Sequence, residues 1–196
     1  MMQSKLFILS GQSGVGKNTI LESLIAAHSN FHRAVTYTTR EPRPAEVPGE
    51  DHFFVYPEKF QEMIKRGDFL EFAQNHGQMY GTPKDQIREA LDKGKSVLME
   101  IDVKGATQVK ETMPDAVLIF IKFDSDNIGD IIRHRIKNDP ARGNISEEEI
   151  QTRIQTAKQE KEYEKYYNYS VVNPEGRPER AIKEVENIIQ NELKKN

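Results

Sequence analysis

A chain of 196 residues with 36% hydrophobic and 30% charged residues fits one domain carrying small inserted lobes. The absence of cysteine excludes disulfides, zinc–thiolate sites and thiol nucleophiles. A net charge of -3 gives no global attraction to nucleic acid or to an anionic membrane, so any anion site must be built locally. The N-terminal apolar run, Leu6 to Leu9, is too short for a secretory signal, and no stretch approaches the ~20 apolar residues of a membrane span. The expectation is a cytoplasmic protein with neither nucleic acid nor membrane as partner; oligomeric state is not legible.

In chain order, Lys5–Ser10 reads as a short strand ending in a glycine-rich turn, and Lys17–His28 as a helix with Ile20, Leu21, Leu24 and Ile25 on one face. Val35 to Tyr80 is rich in proline and aromatics and holds short runs such as Phe53-Phe54-Val55 and Phe69-Leu70-Glu71-Phe72. It predicts a small mixed or antiparallel lobe inserted into the main body. Ser96–Asp102, Ala116–Phe123 and Tyr169–Asn173 read as buried strands, with helices at Val103–Met113 and Asn127–Lys137 between them. The polar segment Lys137–Ile145, with Pro140 and Gly143, suits a mobile connection or lid. Ser146-Glu147-Glu148-Glu149 has capping-box form and starts a long helix. A last helix, Pro178–Lys195, puts Ile182, Val185, Ile188, Ile189 and Leu193 on one side. Strands alternating with helices predict an α/β fold, a parallel sheet with helices on both faces. The division expected is a core of residues 1–34, 81–126 and 168–196, a lobe of 35–80 and a lid of 127–167.

Gly11-Gln12-Ser13-Gly14-Val15-Gly16-Lys17-Asn18-Thr19 follows a strand and runs into a helix, the context a P-loop requires. Its glycines let successive N–H groups curl toward phosphate oxygens. The first helical turn adds free N–H groups and the positive end of its dipole, and Lys17 supplies a mobile charge for the β- and γ-phosphates. Asn18 stands where a serine or threonine hydroxyl normally reaches the magnesium ion. Its carbonyl oxygen can ligate the ion or hold its water, or the ion keeps mostly water and phosphate ligands. The motif by itself says nucleoside triphosphate, and GTPases, ATPases and kinases share it. Arg40 and Arg43, three apart with Pro42 between them, are suited to bidentate phosphate binding; alone, they also fit a solvated loop.

The P-loop followed by Thr38-Thr39-Arg40-Glu41-Pro42-Arg43 and Glu46 resembles the guanylate kinase family. So do Phe69 to Ala73, Tyr80-Gly81-Thr82, Leu98 to Gly105 and Val171-Val172-Asn173, in order, from about Leu6 to Asn173. The resemblance implies transfer of the γ-phosphate of ATP to GMP, with Mg²⁺ accompanying ATP. It implies that Arg40, Arg43 and Tyr80 hold the GMP phosphate, and that Glu71 accepts from guanine N1–H and the 2-amino group. Thr36 and Thr82 would donate to guanine O6. Asp102 would lie near the metal and the acceptor, and Asn173 near the adenine of ATP. Arg135, Arg142 and Arg153 would neutralise the phosphates from the lid. Departures from the family pattern are Asn18, His52 for a tyrosine at the acceptor phosphate, Ala45 for a glycine, Glu100 for an aspartate and Lys104 for a glutamine. The stretch from Arg135 to Arg142 is also a few residues longer. These leave two other readings: a relative phosphorylating a sugar phosphate such as ribose 1,5-bisphosphate, and a non-catalytic binding module. No Asn-Lys-x-Asp signature supports a regulatory GTPase.

Overall fold

The computed structural model describes residues 4–44, 46–75, 77–125, 127–137 and 145–195. Five strands form an all-parallel sheet: β1 (Leu6–Gly11), β2 (Phe31–Arg33), β7 (Ser96–Glu100), β8 (Val117–Lys122) and β9 (Tyr169–Val172), in the order β2-β7-β1-β8-β9. Side chains alternate across the pleat. Phe7 and Leu9 of β1 face one apolar cluster and Leu6 and Ile8 face another. The first cluster is covered by α1 (Lys17–Ala27), α5 (Ile128–Lys137), α6 (Glu147–Glu160) and α7 (Pro178–Lys194). The second is covered by α3 (Lys84–Asp92) and α4 (Val103–Thr112). A sheet buried on both faces reads as continuous apolar runs, as β8 does with Val117-Leu118-Ile119-Phe120-Ile121 all buried.

The inserted lobe is a four-stranded mixed sheet in the order β4-β3-β6-β5. β3 is Thr36–Thr38, β4 His52–Phe54, β5 Phe69–Asn75 and β6 Gln78–Pro83. β3 pairs with β4 in parallel, whereas β6 runs antiparallel to both β3 and β5. The lobe also carries α2 (Pro57–Arg66), which closes over a core of Phe60, Met63 and Phe69. Pro57 opens that helix, and Gly67 ends it with φ 71° while its N–H reaches Ile64 and Met63 carbonyls.

The structure corrects several boundaries. Strand β7 stops at Glu100 rather than Asp102, because Asp102 is the N-cap of α4 and its Oδ1 accepts from the N–H groups of Lys104 and Gly105 at 2.9 and 2.8 Å. Strand β6 carries the lobe three residues beyond Tyr80. Helices α2 and α3 and strand β2 lie where the sequence reading placed no such element. Ser146 caps α6 as expected, its Oγ accepting from Glu149 N at 3.2 Å. The Glu149 carboxylate pairs with Arg153 one turn on, at 2.9 Å. No helix among the described residues is long and apolar enough to cross a membrane.

Candidate active site

In an open parallel sheet, ligands sit outside the carboxyl ends of the strands, where connections diverge to either side. Here that point lies at the end of central β1, where Gly11 leads into the loop to α1. Gly14 and Gly16 adopt φ of 78° and 95°, the left-handed conformation that turns successive amides inward as an anion nest. Lys17 Nζ lies over this loop, donating to the carbonyls of Gly11 (3.0 Å) and Gln12 (3.2 Å).

Two cavities meet at the loop. One, of about 500 Å³, runs between Gly14–Thr19 and Arg135, Arg153, Asn173 and Pro174. The other, of about 330 Å³, runs from Ser13, Gly14 and Lys17 to the lobe, where Thr36, His52, Glu71 and Tyr80 line it. Both volumes lie in the range that holds a small-molecule ligand. Lys17, Asn18, Gly14 and Glu100 line both. Two nucleotide-sized spaces therefore face each other across one phosphate cradle.

Glu71 is the buried charge of the lobe, 3% exposed, with Oε1 accepting from Thr82 Oγ1 at 2.6 Å. Burial pushes its carboxyl up to about 7, with Asp102 adding to the rise and the Thr82 hydroxyl opposing it. Thr82 is fully buried behind it, so the only proton of that hydroxyl is directed at Glu71. Thr36 Oγ1 and His52 Nδ1 are 2.7 Å apart, and burial holds the half-buried imidazole below its usual pKa.

The arginines divide. Arg40 is bound in fork geometry by Glu46, at 2.7 and 2.5 Å, and its NH1 also donates to the Glu41 carbonyl. That pairing, the hydrogen bond first, pulls Glu46 down to about 2. Arg43 is exposed, and neither arginine lines the cavity in front of Glu71. Arg135 donates to Gly14 O at 3.0 Å and to Glu175 at 2.9 and 2.5 Å, over the Phe123 ring. Arg153 lines the larger cavity and pairs with Glu149. Arg142 and Ala45 lie outside the described residues.

Several loop residues act away from ligand. The Gln12 side chain is 1% exposed and bridges two elements, its amide donating to Ala157 O and its carbonyl accepting from Phe123 N, each at 3.0 Å. Only its backbone faces the loop. The Val15 side chain is in the core, and its carbonyl accepts from Asn173 Nδ2 at 2.6 Å; the Asn173 Oδ1 is buried without a partner. Thr19 lines the larger cavity. Three further groups lie at the site that sequence reasoning did not assign to it. Glu100 lies where the two cavities meet, and burial raises its pKa. Glu160 accepts from Ser13 N at 2.6 Å. Arg33 lines the smaller cavity. Of these, only Glu100 carried a signal, as a departure in an acidic strand end.

Magnesium is a hard ion that keeps water and phosphate oxygens and takes few protein ligands. The described residues contain no cluster of three acidic or histidine side chains for a cation cage. Asn18, Glu100 and Asp102 nevertheless border the phosphate cradle. Asn18 Nδ2 donates to Glu22 at 2.6 Å, leaving its Oδ1 available, and only Oδ1 of Asp102 caps α4. Oxygen donors of this kind fit an ion that arrives with a triphosphate.

Cradle, sheet order and paired cavities define a P-loop protein that brings a nucleoside triphosphate against a second small ligand. Residues 3–192 match the family model described as guanylate kinase. The chain is 40% identical to a guanylate kinase of Clostridium tetani over 98% of this chain and 88% of that relative. It is 41% identical to one of Clostridioides difficile over 97% and 89%. The crystal structure of guanylate kinase from Anaplasma phagocytophilum superposes with a TM-score of 0.77 at 27% identity, covering all of this chain and 89% of that one. The chain belongs to the guanylate kinase family.

Proposed function

We propose that this protein is an active guanylate kinase, transferring the γ-phosphate of ATP to GMP to give ADP and GDP. The observation that carries this reading is the single cavity running from Lys17 of the phosphate cradle to the buried Glu71. Guanine presents N1–H and the 2-amino group side by side, and an ionised carboxylate accepts from both. Adenine would leave that buried acceptor unpaired, which is the strongest kind of discrimination a polar site achieves.

ATP occupies the larger cavity, its phosphates on the N–H groups of Gly14 to Thr19 and on Lys17, with its base toward Asn173. GMP occupies the smaller one, its base at Glu71 and Thr36 and its phosphate toward Tyr80, His52 and the cradle. Arg40 and Arg43 reach that phosphate if the lobe moves in and Arg40 exchanges part of its Glu46 pairing. An oxygen of the GMP phosphate attacks the γ-phosphorus, and the bond to the β-bridging oxygen breaks. The acceptor is already an anion, so no general base is needed and catalysis is positioning plus charge neutralisation. Lys17, Arg135 and Arg153 supply that neutralisation, joined by Arg142. Asn18 and Asp102 would hold the magnesium ion, which would supply positive charge against that of the phosphates. With ATP and GMP as its substrates, the protein works in the cytoplasm.

The test is ADP release with ATP and Mg²⁺, offering GMP, AMP, CMP, UMP and ribose 1,5-bisphosphate in turn. Turnover with GMP alone is expected, and Lys17→Ala should lower kcat by about 100-fold or more. Turnover with the sugar phosphate alone would refute the base-reading role of Glu71. Nucleotide binding without any turnover would make the chain a binding module.

A further inference from the structure

Arg33 ends β2, and the parallel register sets it beside Leu98 of β7. Phe31 and Leu98 belong to the apolar cluster beneath α1, so strand alternation puts Arg33 and Glu100 on that same face of the sheet. Both strands end there, at the mouth of the cavity in front of Glu71. Arg33 lines this mouth together with Asn18, His52 and Glu100. Those three are among the five positions where the sequence departs from the family pattern, and they line the cavity beside the one arginine that reaches it among the described residues.

Its surroundings separate a ligand role from a structural one. Among the described residues the Arg33 side chain has no hydrogen bond or ion pair, although it is half-buried. On the lobe side the half-buried His52, whose pKa is lowered by burial first, also feels the Arg33 charge. Arg33 therefore stands between the base-reading wall and the phosphate cradle, where an acceptor phosphate must lie to meet a γ-phosphate over Lys17. The arginines implied by the family resemblance are elsewhere: Arg40 is committed to Glu46, and Arg43 is exposed outside the cavity.

We propose that Arg33 is a phosphate-binding residue of the acceptor site, donating its guanidinium to the 5′-phosphate of the acceptor nucleotide beside His52. This rests on the guanylate kinase reading and adds to it a cation that lines the acceptor pocket. A half-desolvated guanidinium on a phosphate dianion makes a charge-assisted hydrogen bond, among the stronger single contacts a site can offer.

The experiment compares wild type with R33Q and R33K, using GMP and guanosine as probes. Steady-state KM is measured for GMP and for ATP, and dissociation constants for GMP and guanosine by calorimetry. For R33Q, KM and Kd for GMP are expected to rise by about 10- to 100-fold, the loss of one charge-assisted hydrogen bond. Guanosine affinity and KM for ATP should stay within about twofold, since neither probe brings a phosphate to this position. R33K, which keeps the charge but not the fork, should recover part of the GMP affinity. Equal losses for guanosine and GMP, or a raised KM for ATP, would overturn the proposal and make Arg33 a support for the pocket walls. Unchanged GMP affinity in R33Q would overturn it outright. Should R33Q fail to fold, GMP binding by R33K equal to wild type with guanosine binding unaltered overturns the fork contact. A wild-type enzyme that does not turn over GMP would refute the function proposed above instead, which separates the two failures.

Discussion

At Glu71 a carboxyl group is kept from water and given one hydroxyl donor, Thr82. Its neighbour on α4, Gly105, is part of that arrangement. A Cβ there would lie 2.6 Å from Glu71 Oε2, so only glycine lets the helix start press against the carboxylate. Burial holds the carboxyl near 7 instead of its ordinary 4.5. The consequence for ligand binding has a definite sign. A pKa raised in the free protein means that the group carries a proton below about 7, whereas guanine's two donors need the ionised form. GMP affinity should therefore be constant above pH 7 and fall about tenfold for each unit below it. Guanosine, which lacks the phosphate and its own titration near 6, is the cleaner probe. In Glu71→Gln the slope between pH 5 and pH 7 should vanish and guanine preference with it. A slope that persists in this variant would place the titrating group elsewhere.

At the scale of elements, the unit that matters is the joint between the P-loop and α6. Gln12 ties the Ala157 carbonyl of α6 to the Phe123 amide after β8, and Glu160 takes the Ser13 N–H. Arg153, Ala157 and Glu160 share one helical face, at i, i+4 and i+7. The helix that presents Arg153 is thus bonded to the loop that holds the phosphates. Gln12→Leu strands a buried carbonyl and a buried amide and should destabilise the protein by about 2–4 kcal/mol, read as a lower melting temperature. Hydrogen exchange at the Phe123 amide should quicken at the same time. Slow exchange there in the variant would mean that the joint does not depend on Gln12.

That joint also shows which features a linear pattern exposes. The cradle is local: glycines, lysine and helix start are adjacent in sequence, and so were recognisable. The strands β1, β7 and β8 are continuous apolar runs and are likewise legible. Gln12 reads as one more loop residue, because its partners Phe123 and Ala157 are more than a hundred positions away. Arg33 and Glu160 sit in ordinary polar contexts and acquire meaning only when β2 and α6 are brought to the loop. Helix α2 has its apolar residues at Phe60, Met63 and Ile64, a short stripe within a charged stretch. Its Pro57 and Gly67 punctuation was the better signal.

For the whole molecule the question is how two sites on different bodies come within reaction distance. The lobe is joined to the core by two chain crossings and by the packing of β5 on α4, where Leu70 enters the second apolar cluster. Gln108 of α4 holds Phe72 of β5 through its N–H and carbonyl at 3.2 and 2.9 Å, and Gln86 takes Val35 N at 2.6 Å. Arg40 sits in the lobe, whereas Lys17, Arg135 and Arg153 sit around the cradle, so the phosphates of two bound nucleotides are the charge that draws these cations together. Water competes with GMP for the γ-phosphate, and closure that excludes it protects ATP from hydrolysis. The lack of native cysteine makes this measurable. Cysteines introduced for the exposed Tyr56 on the lobe and Gln155 on α6 can carry a donor–acceptor dye pair without background labelling. Energy transfer should rise when GMP and a non-hydrolysable ATP analogue are both bound, and rise less with either alone. Because the joint at Ala157 and Glu160 anchors the end of α6, most of that change should come from the lobe. A second pair from Tyr56 to the exposed Glu179, at the start of α7 beside the larger cavity, should then also report a gain. An unchanged signal with both nucleotides bound would show that the two sites already face each other at working distance.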